Sequence, residues 1–509
     1  MLLVRIAETS AALAATPSRN VKRDLIAGVL SEATAEDIEI VISYLSGRLR
    51  QRRTGVGWRS LLDLPVAAAE ATLTVAEADR AFELIADLSG AGSTRARVSA
   101  VVELFGRATD SEQMLLRGLV FEELRQGALD SLVQEGLALA TDVPVAAVRR
   151  AAMLLGSTAA AGVVLRRGGV DALTAVGLTL GVPVLPMLAA SAPDTGAAVD
   201  KSGLPVAVDF KLDGIRVQVH RDGDVVSIYT RSLEEITDRL PEVVSAVRSL
   251  AEPQLVLDGE VLAFRVDGRP EAFQVIASRT ASQVDVAAQA ARTPLSVFFF
   301  DLLRAGDRDL LDAPLAQRIE VMAEVLPPSM IVPRVLAEDE ATVGSVFADA
   351  VSRGYEGVVI KNVTAGYAAG RRDAGWVKIK PRHTFDLVVT AAEWGHGRRT
   401  GLLSNLHLAA RDPGTGELIM LGKTFKGLTD ELLRWQTDRF LELETRRTAG
   451  TVHVRPQLVV EIACDGIQRS SRYPGGIALR FARVLRYRDD KSPSEADTID
   501  QVRLLANTP

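Results

Sequence analysis

At 509 residues the chain is too long for one hydrophobic core, and its length predicts about three domains. Apolar residues make up 47% of the chain and charged residues 24%, which is ordinary for a soluble globular protein, while the net charge of −6 argues against indiscriminate binding to nucleic acids. The single cysteine, Cys464, excludes an internal disulfide and a zinc site made of several cysteines.

The beginning of the chain lacks the apolar run of a signal peptide. No stretch reaches the length of a membrane span without a charge or a break. We therefore expect a cytoplasmic protein without a membrane partner.

Residues 1–185 are predicted to form an all-helical domain. Two capping boxes, Thr74 with Glu77 and Thr109 with Glu112, each precede a run with helical apolar spacing. Few alternating β-branched segments interrupt these runs, so helices are the simplest interpretation.

Two places in this helical region are candidates for DNA contact. One is an arginine-rich loop with glycines, which let a protein backbone approach a phosphate closely. The other is a helix junction, where backbone N–H groups can meet a phosphate. Taken alone, each is more simply explained as a solvated charged surface, and the glycines between the arginines favour DNA contact for the loop. The candidate residues are Arg48, Arg50, Arg52 and Arg53 in the loop, and Arg125 and Gly127 at the junction.

The segment 186–203 is rich in proline, glycine and small residues, which predicts a linker. After it the apolar period changes to that of strands. Val217 and Val219 alternate with polar residues before the turn signal Asp222-Gly223, which together predict a hairpin. Further strand patterns continue to a proline, so the second domain is placed at 204–381.

A lysine between apolar neighbours ends the first of these strands, in Asp209-Phe210-Lys211-Leu212-Asp213-Gly214-Ile215-Arg216. This pattern places a charge inside the protein and suggests a reactive amine, although an exposed lysine before a turn is the simpler alternative. To attack phosphorus the amine must lose its proton, which burial and neighbouring cations favour. Lys378 and Lys380, on one face of a later strand, supply such cations.

Residues 382–509 contain short alternating segments separated by turns, which predict a small β-barrel. They end in a basic run that suits a surface facing phosphate.

Taken together, the chain resembles the ATP-dependent DNA ligases. The resemblance covers nearly the whole length and is closest to the three-domain type with an N-terminal helical DNA-binding domain, found as ligase I in eukaryotes and as DNA ligase B in bacteria. The motifs are common singly, but their order and spacing make chance a poor explanation. They are KxDGxR (Lys211 to Arg216), Thr230-Arg231, DGE (258–260), FD (300–301), EGVVIK (356–361), KxK (378–380) and RxDK (Arg488 to Lys491).

The resemblance implies an all-α N-terminal domain, an α+β nucleotidyltransferase domain with antiparallel sheets and a C-terminal OB-fold barrel. It also implies three displacements. Lys211 attacks the α-phosphate of ATP and holds AMP as a phosphoramidate. AMP then passes to the 5′-phosphate at a nick in duplex DNA, and the 3′-hydroxyl displaces it.

The resemblance further assigns the site residues. Lys378 and Lys380 would grip the α-phosphate, Glu260 and Glu356 would hold magnesium or manganese, and Phe300 would stack on adenine.

Arginines and a lysine complete the implied set. Arg216 and Arg231 would contact the sugar or the DNA 5′-phosphate. Arg483, Arg488 and Lys491, on a mobile barrel, would orient pyrophosphate.

Four further residues are assigned by position. Arg372 is a nucleotide-binding candidate, and Arg398 and Arg399 lie in a basic loop expected to face DNA. Asp209 stands where the family usually has a glutamate that recognises the base, so the shorter side chain leaves base selectivity open.

Two alternatives remain at this point. An RNA ligase or a capping guanylyltransferase would share the lysine core, and a DNA-binding protein could retain the fold without catalysis. We expect a monomer that encircles nicked duplex DNA, with replication, repair and recombination all open as its role.

Overall fold

The computed structural model describes most of the chain, namely residues 1–51, 53–124, 126–127, 130–282, 284–368, 372–396 and 399–507. Within these ranges only the backbone is described for residues 59, 372–374 and 506–507.

The first third of the chain is helical in its described part. Its helices are α1 (Leu3–Ala15), α2 (Arg19–Glu32), α3 (Ile38–Leu45), α4 (Val75–Asp87), α5 (Ser93–Arg107), α6 (Asp110–Val120), α7 (Asp130–Thr141), α8 (Val145–Leu154) and α9 (Thr158–Thr174). Both predicted capping boxes are present. Glu77 accepts the N–H of Thr74 at 2.9 Å and Glu112 accepts that of Thr109 at 2.8 Å, which fixes where α4 and α6 begin.

The apolar faces of these helices share one core, in which Phe82, Phe105 and Leu137 are fully buried. Within the described ranges no single helix is long and apolar enough to cross a membrane, and only α8 and α9 together, bent by 115°, meet the requirements of length and composition.

The segment 186–203 is not the irregular linker that its composition predicts. It contains the strand β1 (Leu188–Ser191) and the helix α10 (Thr195–Ser202), which the Asp194 side chain caps. β1 pairs in parallel with the much later strand Arg372–Ile379. The prediction fails because local composition carries no information about such a distant partner.

Two five-stranded sheets form the middle of the chain. Their other strands are β2 (Val206–Lys211), β3 (Ile215–Asp222), β4 (Val225–Thr230), β5 (Gln254–Leu262), β6 (Ser296–Ala305), β7 (Arg308–Asp309), β8 (Arg334–Ala337), β9 (Gly357–Asn362) and β10 (Arg372–Ile379). The strand orders are β1-β10-β9-β2-β8 and β4-β3-β5-β6-β7. Apart from β1 with β10, the named pairs in these sheets are antiparallel, as predicted.

Five helices accompany these sheets, and all but the third in chain order contribute buried side chains to their core. They are α11 (Pro241–Arg248), α12 (Phe273–Ala281), α13 (Val286–Arg292), α14 (Leu315–Val325) and α15 (Glu340–Ser352).

The C-terminal region forms the predicted barrel. Its elements are β11 (His383–Trp394), β12 (Leu403–Arg411), β13 (Leu418–Thr424), α16 (Asp430–Glu442), β14 (Glu444–Arg447), β15 (Thr451–Val454), β16 (Val459–Cys464), β17 (Gly466–Arg469), β18 (Ile477–Arg480), β19 (Arg483–Tyr487) and α17 (Ile499–Asn507). β11 pairs with β12 and has two register shifts along that pairing, where it bends. On its other side the first half of β11 pairs with β16 and the second half with β15. This curvature encloses a separate apolar core.

A buried histidine anchors the connection from the helices into the sheets. His220 on β3 accepts the N–H of Gly181 at 3.1 Å, and Gln218 bonds both the N–H and the C=O of Val184, at 2.8 and 3.2 Å. Burial lowers the pKa of His220 to about 4, so its imidazole is neutral near pH 7. These bonds fix the chain just before β1.

Ion pairs join the three regions. Arg150 on α8 binds Asp312 through two bonds of 2.7 and 2.8 Å. On the barrel, Arg480 Nη1 lies 3.4 Å from Asp213 Oδ2. The helices and the barrel therefore both contact the central sheets.

Candidate active site

A cavity of about 970 Å³ opens where the two central sheets meet. Strand ends from both sheets line it, together with Arg53 from the helical region and Phe481 from the barrel. The predicted nucleotide and metal ligands that line it are Asp209, Lys211, Arg216, Arg231, Glu260, Phe300, Glu356, Lys378 and Lys380. Residues that are far apart in the sequence thus meet at one site.

Lys211 is the last residue of β2, and its side chain is 20% exposed. Its Nζ contacts Glu356 Oε2 and lies 3.4 Å from Leu212 O. The two side chains meet because β2 pairs with β9, with Lys211 opposite Gly357. Gly357 has φ +133°, and a Cβ there would clash with Ile379 O, so glycine is needed for this approach.

Glu356 bridges two lysines, since Oε2 accepts from Lys211 and Oε1 pairs with Lys380. Burial would raise the pKa of Glu356, but the two ammonium groups outweigh burial and hold it below its ordinary value. Lys380 also lies 3.3 Å from Asp465 Oδ2 on the barrel. Burial opposes the charge of Lys380, yet Glu356 and Asp465 raise its pKa overall. Near pH 7 Glu356 and Lys380 are therefore both charged.

Glu260, on β5, is the second carboxylate of the site. Its Oε1 accepts the N–H of Gly214 at 2.6 Å, where a Cβ would clash with Val261 O. Burial raises the pKa of Glu260 to about 7, and Glu356 adds to the rise while the charge of Lys211 opposes it. The carboxylate therefore lacks a full counter-charge.

No group of three or more metal-binding side chains gathers among the residues that the structure describes. The pair Glu260 and Glu356 nevertheless fits a hard divalent cation that takes its remaining ligands from phosphate oxygens and water, since such ions bind through one or two carboxylates.

Lys378 and Lys380 lie at the end of β10 and both line the cavity, as their alternate spacing predicts. The backbone of Lys378 is fixed on one side by β9 and on the other by the segment after β1, where Ala192 N donates to Lys378 O at 3.1 Å. β1, which lies in the segment predicted to be a linker, thus supports the side of the site that carries the lysines.

The backbone of Phe300, on β6, is fixed by two buried cations. Its carbonyl accepts from Arg334 Nη2 at 2.8 Å and from Lys361 Nζ at 2.9 Å. Its ring packs nearly perpendicular to that of Trp376, with the centroids 5.7 Å apart, and Lys361 Nζ lies 4.6 and 4.2 Å from the two centroids. The aromatic rings offer a surface for a flat base.

Asp209, on β2, is held by two buried cations. It is only 2% exposed, and its carboxylate binds Arg334 through two bonds and Lys361 at 2.8 Å. Burial alone would raise the pKa of Asp209, but these two cations hold it below its ordinary value. These internal ion pairs compete with the predicted contact of Asp209 with a base, although Asp209 does line the cavity.

Arg216 is also held internally. Its guanidinium binds Asp258 at 3.0 and 2.5 Å and Met187 O at 2.7 Å, while Tyr367 donates to the same carboxylate at 2.8 Å. These bonds compete with the predicted contact of Arg216 with sugar or phosphate. Arg231, by contrast, is exposed at the rim of the cavity.

Three predicted pyrophosphate ligands do not line the cavity. Arg488 Nη1 and Lys491 Nζ bind Asp386 Oδ2, at 2.7 and 2.6 Å, and Arg483 is exposed on β19. Phe481 is the barrel side chain that lines the cavity instead. The predicted roles of the three cations therefore require the barrel to move.

The predicted DNA-binding arginines have different surroundings. Arg53 lines the cavity and Arg48 is exposed. Arg50 binds Asp79 and lies 3.3 Å from Glu39. Carboxylates of the protein already neutralise Arg50, and these ion pairs compete with its predicted DNA contact.

The second predicted DNA contact and the barrel loop are only partly described. Gly127 has φ +63° and follows Gln126, whose carbonyl accepts from Lys22 Nζ at 2.5 Å. Arg399 Nη1 donates to Phe425 O at 2.7 Å. Outside the described residues lie Arg52, Arg125 and Arg398, and the side chain of Arg372 is likewise undescribed.

Two buried cations beside Phe300, Lys361 and Arg334, carry no predicted role. Lys361 ends the motif that Glu356 begins, so its place in that motif was the available signal. Arg334 stands alone in an apolar stretch, and no local pattern marks it.

Two family models match the chain. An "ATP dependent DNA ligase domain" matches residues 186–380, and an "ATP dependent DNA ligase C terminal region" matches residues 399–491. The first match includes the segment of β1 and α10.

Similar proteins extend the likeness to the whole chain. A probable DNA ligase of Beutenbergia cavernae is 57% identical and covers 99% of this chain and 100% of its own. One from a Nocardioides species is also 57% identical, over 99% and 98% of the two chains. A solved structure titled "Pmar-Lig_PreS3" is 18% identical, covers 95% of this chain and 99% of its own, and has a TM-score of 0.65, so it shares the fold.

Proposed function

This chain belongs to the ATP-dependent DNA ligases, and from that premise we propose that Lys211 is the residue that carries AMP while a nick is sealed. The observation that carries the proposal is the position of the amine inside the cavity, on Glu356 and beside Glu260 and Lys380. Full-length similarity to probable DNA ligases favours DNA over the RNA and capping alternatives and over a protein without catalysis.

In the first step the deprotonated Lys211 Nζ attacks the α-phosphorus of ATP. A P–N bond forms, and the bond to the bridging oxygen breaks as pyrophosphate leaves with the electron pair. An oxygen of the 5′-phosphate at the nick then displaces the lysine, and the 3′-hydroxyl finally displaces AMP. Every step gathers negative charge on phosphate oxygens, which Lys378 and Lys380 are placed to stabilise.

The pair between Lys211 and Glu356 must open before the attack. The nucleophile is the neutral amine, whose lone pair must reach the α-phosphorus, and an Nζ held on Glu356 is not free to approach it. Glu356 keeps Lys380 as its second partner after Lys211 leaves, so opening the pair does not strand a buried charge.

We assign Glu260 and Glu356 as protein ligands of a divalent cation, and magnesium suits a site with two carboxylates and phosphate oxygens. The raised pKa of Glu260 supports this assignment, because a carboxylate that lacks counter-charge gains most from a cation. When bound, such an ion would neutralise charge on the phosphate oxygens of the nucleotide.

Phe300 and Trp376 supply the adenine site in this proposal. The buried Lys361 and Arg334 hold the Phe300 carbonyl, so the ring is fixed before nucleotide binds. A fixed aromatic surface lowers the entropy lost on binding.

The reaction is tested with a nicked duplex that carries a 5′-phosphate. We expect the protein to seal it with ATP and magnesium, and EDTA to prevent sealing, because the phosphate charge is then not neutralised. Sealing is measured as conversion of the labelled strand to its full length on a denaturing gel. A nick with a 5′-hydroxyl is the control and should stay open. A folded protein that seals no nick across a range of salt and pH would contradict the proposal.

We also propose that three domains wrap the duplex: a helical DNA-binding domain (1–185), an adenylation domain (186–381) and an OB-fold domain (382–509). Support comes from the cavity, which Arg53 of the first and Phe481 of the third both line. A single monomer then suffices, and a cytoplasmic location is part of this proposal.

A hydroxyl-radical footprint tests the wrapping. The protein, trapped with non-hydrolysable ATP on a nicked duplex, should protect the sugars of both strands around the whole helix next to the nick, because phosphate contacts from three domains surround it. The control is the same duplex with its nick far from the labelled window. Protection of one face alone would reject encirclement.

A further inference from the structure

Asp386 is a buried carboxylate on the outer face of the barrel. On β11 its neighbours Leu387 and Val389 point into the barrel core, so Asp386 lies on the outer face. It is nevertheless only 7% exposed. The segment that follows Lys491 covers it, since Asp386 N donates to Asp497 Oδ2 at 2.7 Å and Asp497 N donates to Asp386 O at 2.9 Å.

This carboxylate joins two cations at one atom. Asp386 Oδ2 accepts from Arg488 Nη1 at 2.7 Å and from Lys491 Nζ at 2.6 Å. Its other oxygen, Oδ1, is buried without a hydrogen-bond partner in the described structure. Asp386 is thus fixed by the sheet ladder and by the bonds to Asp497, and it is not fully satisfied by its neighbours.

The arrangement overcomes two costs of presenting a pair of cations to one anion. Two like charges held close repel each other, and long side chains lose rotamer freedom when they are fixed. A rigid carboxylate between them reduces both costs before any ligand arrives. Because all three residues belong to the same barrel, the cluster moves as a unit when the barrel moves.

We infer that Asp386 is a positioning residue that holds Arg488 and Lys491 together so that they bind the pyrophosphate part of ATP. The inference rests on the proposed function and on the pyrophosphate role that the sequence predicts for these two cations. Pyrophosphate leaves in the first step, so Asp386 should matter for lysyl-AMP formation and not for the final joining of the strands.

The test measures the two steps separately on full-length protein. Asp386→Asn should raise the KM for ATP in lysyl-AMP formation by about tenfold to a hundredfold, the range expected when hydrogen bonds to charged groups are lost. Sealing of a nick that already carries AMP should stay within about twofold of the wild-type rate, since that step involves no hydrogen bond from Arg488 or Lys491 to pyrophosphate. Unchanged or faster lysyl-AMP formation would overturn the inference.

Two comparisons separate positioning from general damage. Glu461 stands opposite Asp386 on β16 and binds Arg486 at 2.7 Å, so Glu461→Gln is a matched loss of a carboxylate and should leave both steps unchanged. In a background with Arg488→Ala and Lys491→Ala, adding Asp386→Asn should raise the KM no further. An additional rise there would show that Asp386 acts otherwise and would reject its role.

The experiment distinguishes its own failure from that of the proposed function. A wild-type protein that takes no label from ATP, or seals no adenylylated nick, counts against the proposed function. A wild type that performs both steps, with Asp386→Asn performing them equally well, counts against the positioning role alone.

Discussion

Lys211→Ala should take up no label from α-labelled ATP, a loss on the order of a millionfold, as when the nucleophile of another covalent enzyme is removed. The reason is that two other lysines of the cavity, Lys361 and Lys380, are held on Asp209 and Glu356, so neither replaces the amine at the end of β2. The measurement is radioactivity that stays with the protein after denaturing electrophoresis. Peptide mapping of the wild type should place the label on Lys211.

A second substitution separates charge from nucleophilicity. Lys211→Arg keeps a positive charge beside Glu356, but a guanidinium does not lose its proton in proteins, so it should also take up no label. Lys201→Ala is the control, because this exposed lysine on α10 lies outside the cavity and donates to Ser191 O at 2.9 Å. Both Lys211 variants should still bind nicked DNA. Label on Lys211→Ala would show that another residue is the nucleophile.

The sequence predicted the parts of the site that local pattern encodes. Lys211 and Glu356 each belong to a short motif at the end of a strand. Because β2 pairs with β9, the two side chains come into contact. The alternation around Lys378 and Lys380 predicted a shared face, and both line the cavity. Motifs at strand ends therefore specify position well, because neighbouring strands bring their ends together.

Long-range charge pairing escaped prediction. Arg50 was expected to face DNA, but nothing near it in the sequence reveals that Asp79 binds it. Asp209 was expected to contact a base. Its partner Arg334 lies on β8, which is distant from Asp209 in the sequence but pairs with β2 in the sheet. An ionisable side chain shows its chemistry in the sequence, whereas its partner is set by the fold.

The same reasoning explains the segment before the lysine. Proline and glycine correctly mark turns around β1, but the strand itself forms because Leu188–Ser191 finds the edge of β10. A four-residue strand has too little pattern to be recognised alone. Its partner decides whether it is a strand or a loop.

Asp209→Ala should destabilise the adenylation region by about 3–5 kcal/mol in free energy of unfolding, the usual cost of removing one partner from a buried ion pair. The substitution leaves two buried cations, Arg334 and Lys361, whose side chains are 8% and 2% exposed. Each keeps a hydrogen bond to the Phe300 carbonyl, which carries no compensating negative charge. Urea unfolding followed by tryptophan fluorescence measures the change, since Trp376 lies beside Lys361.

The pH dependence of this loss has a definite sign. The two cations hold the pKa of Asp209 below its ordinary value, so its contribution is fully present above the pKa of an unfolded aspartate, about 3.9, and is lost as pH falls through the folded value. The difference in stability between wild type and Asp209→Ala should therefore be constant near pH 7. It should shrink only in acid, below about pH 4.

Two further variants decide whether uncompensated charge is the cause. Glu338→Ala removes an exposed carboxylate just after β8 and should change stability by no more than about 0.5 kcal/mol. Adding Lys361→Met to Asp209→Ala removes one of the two stranded cations and should recover part of the lost stability, because a buried charge then becomes an apolar chain of similar length. If the double variant is less stable than Asp209→Ala, the loss comes from packing, and the cluster does not depend on charge balance.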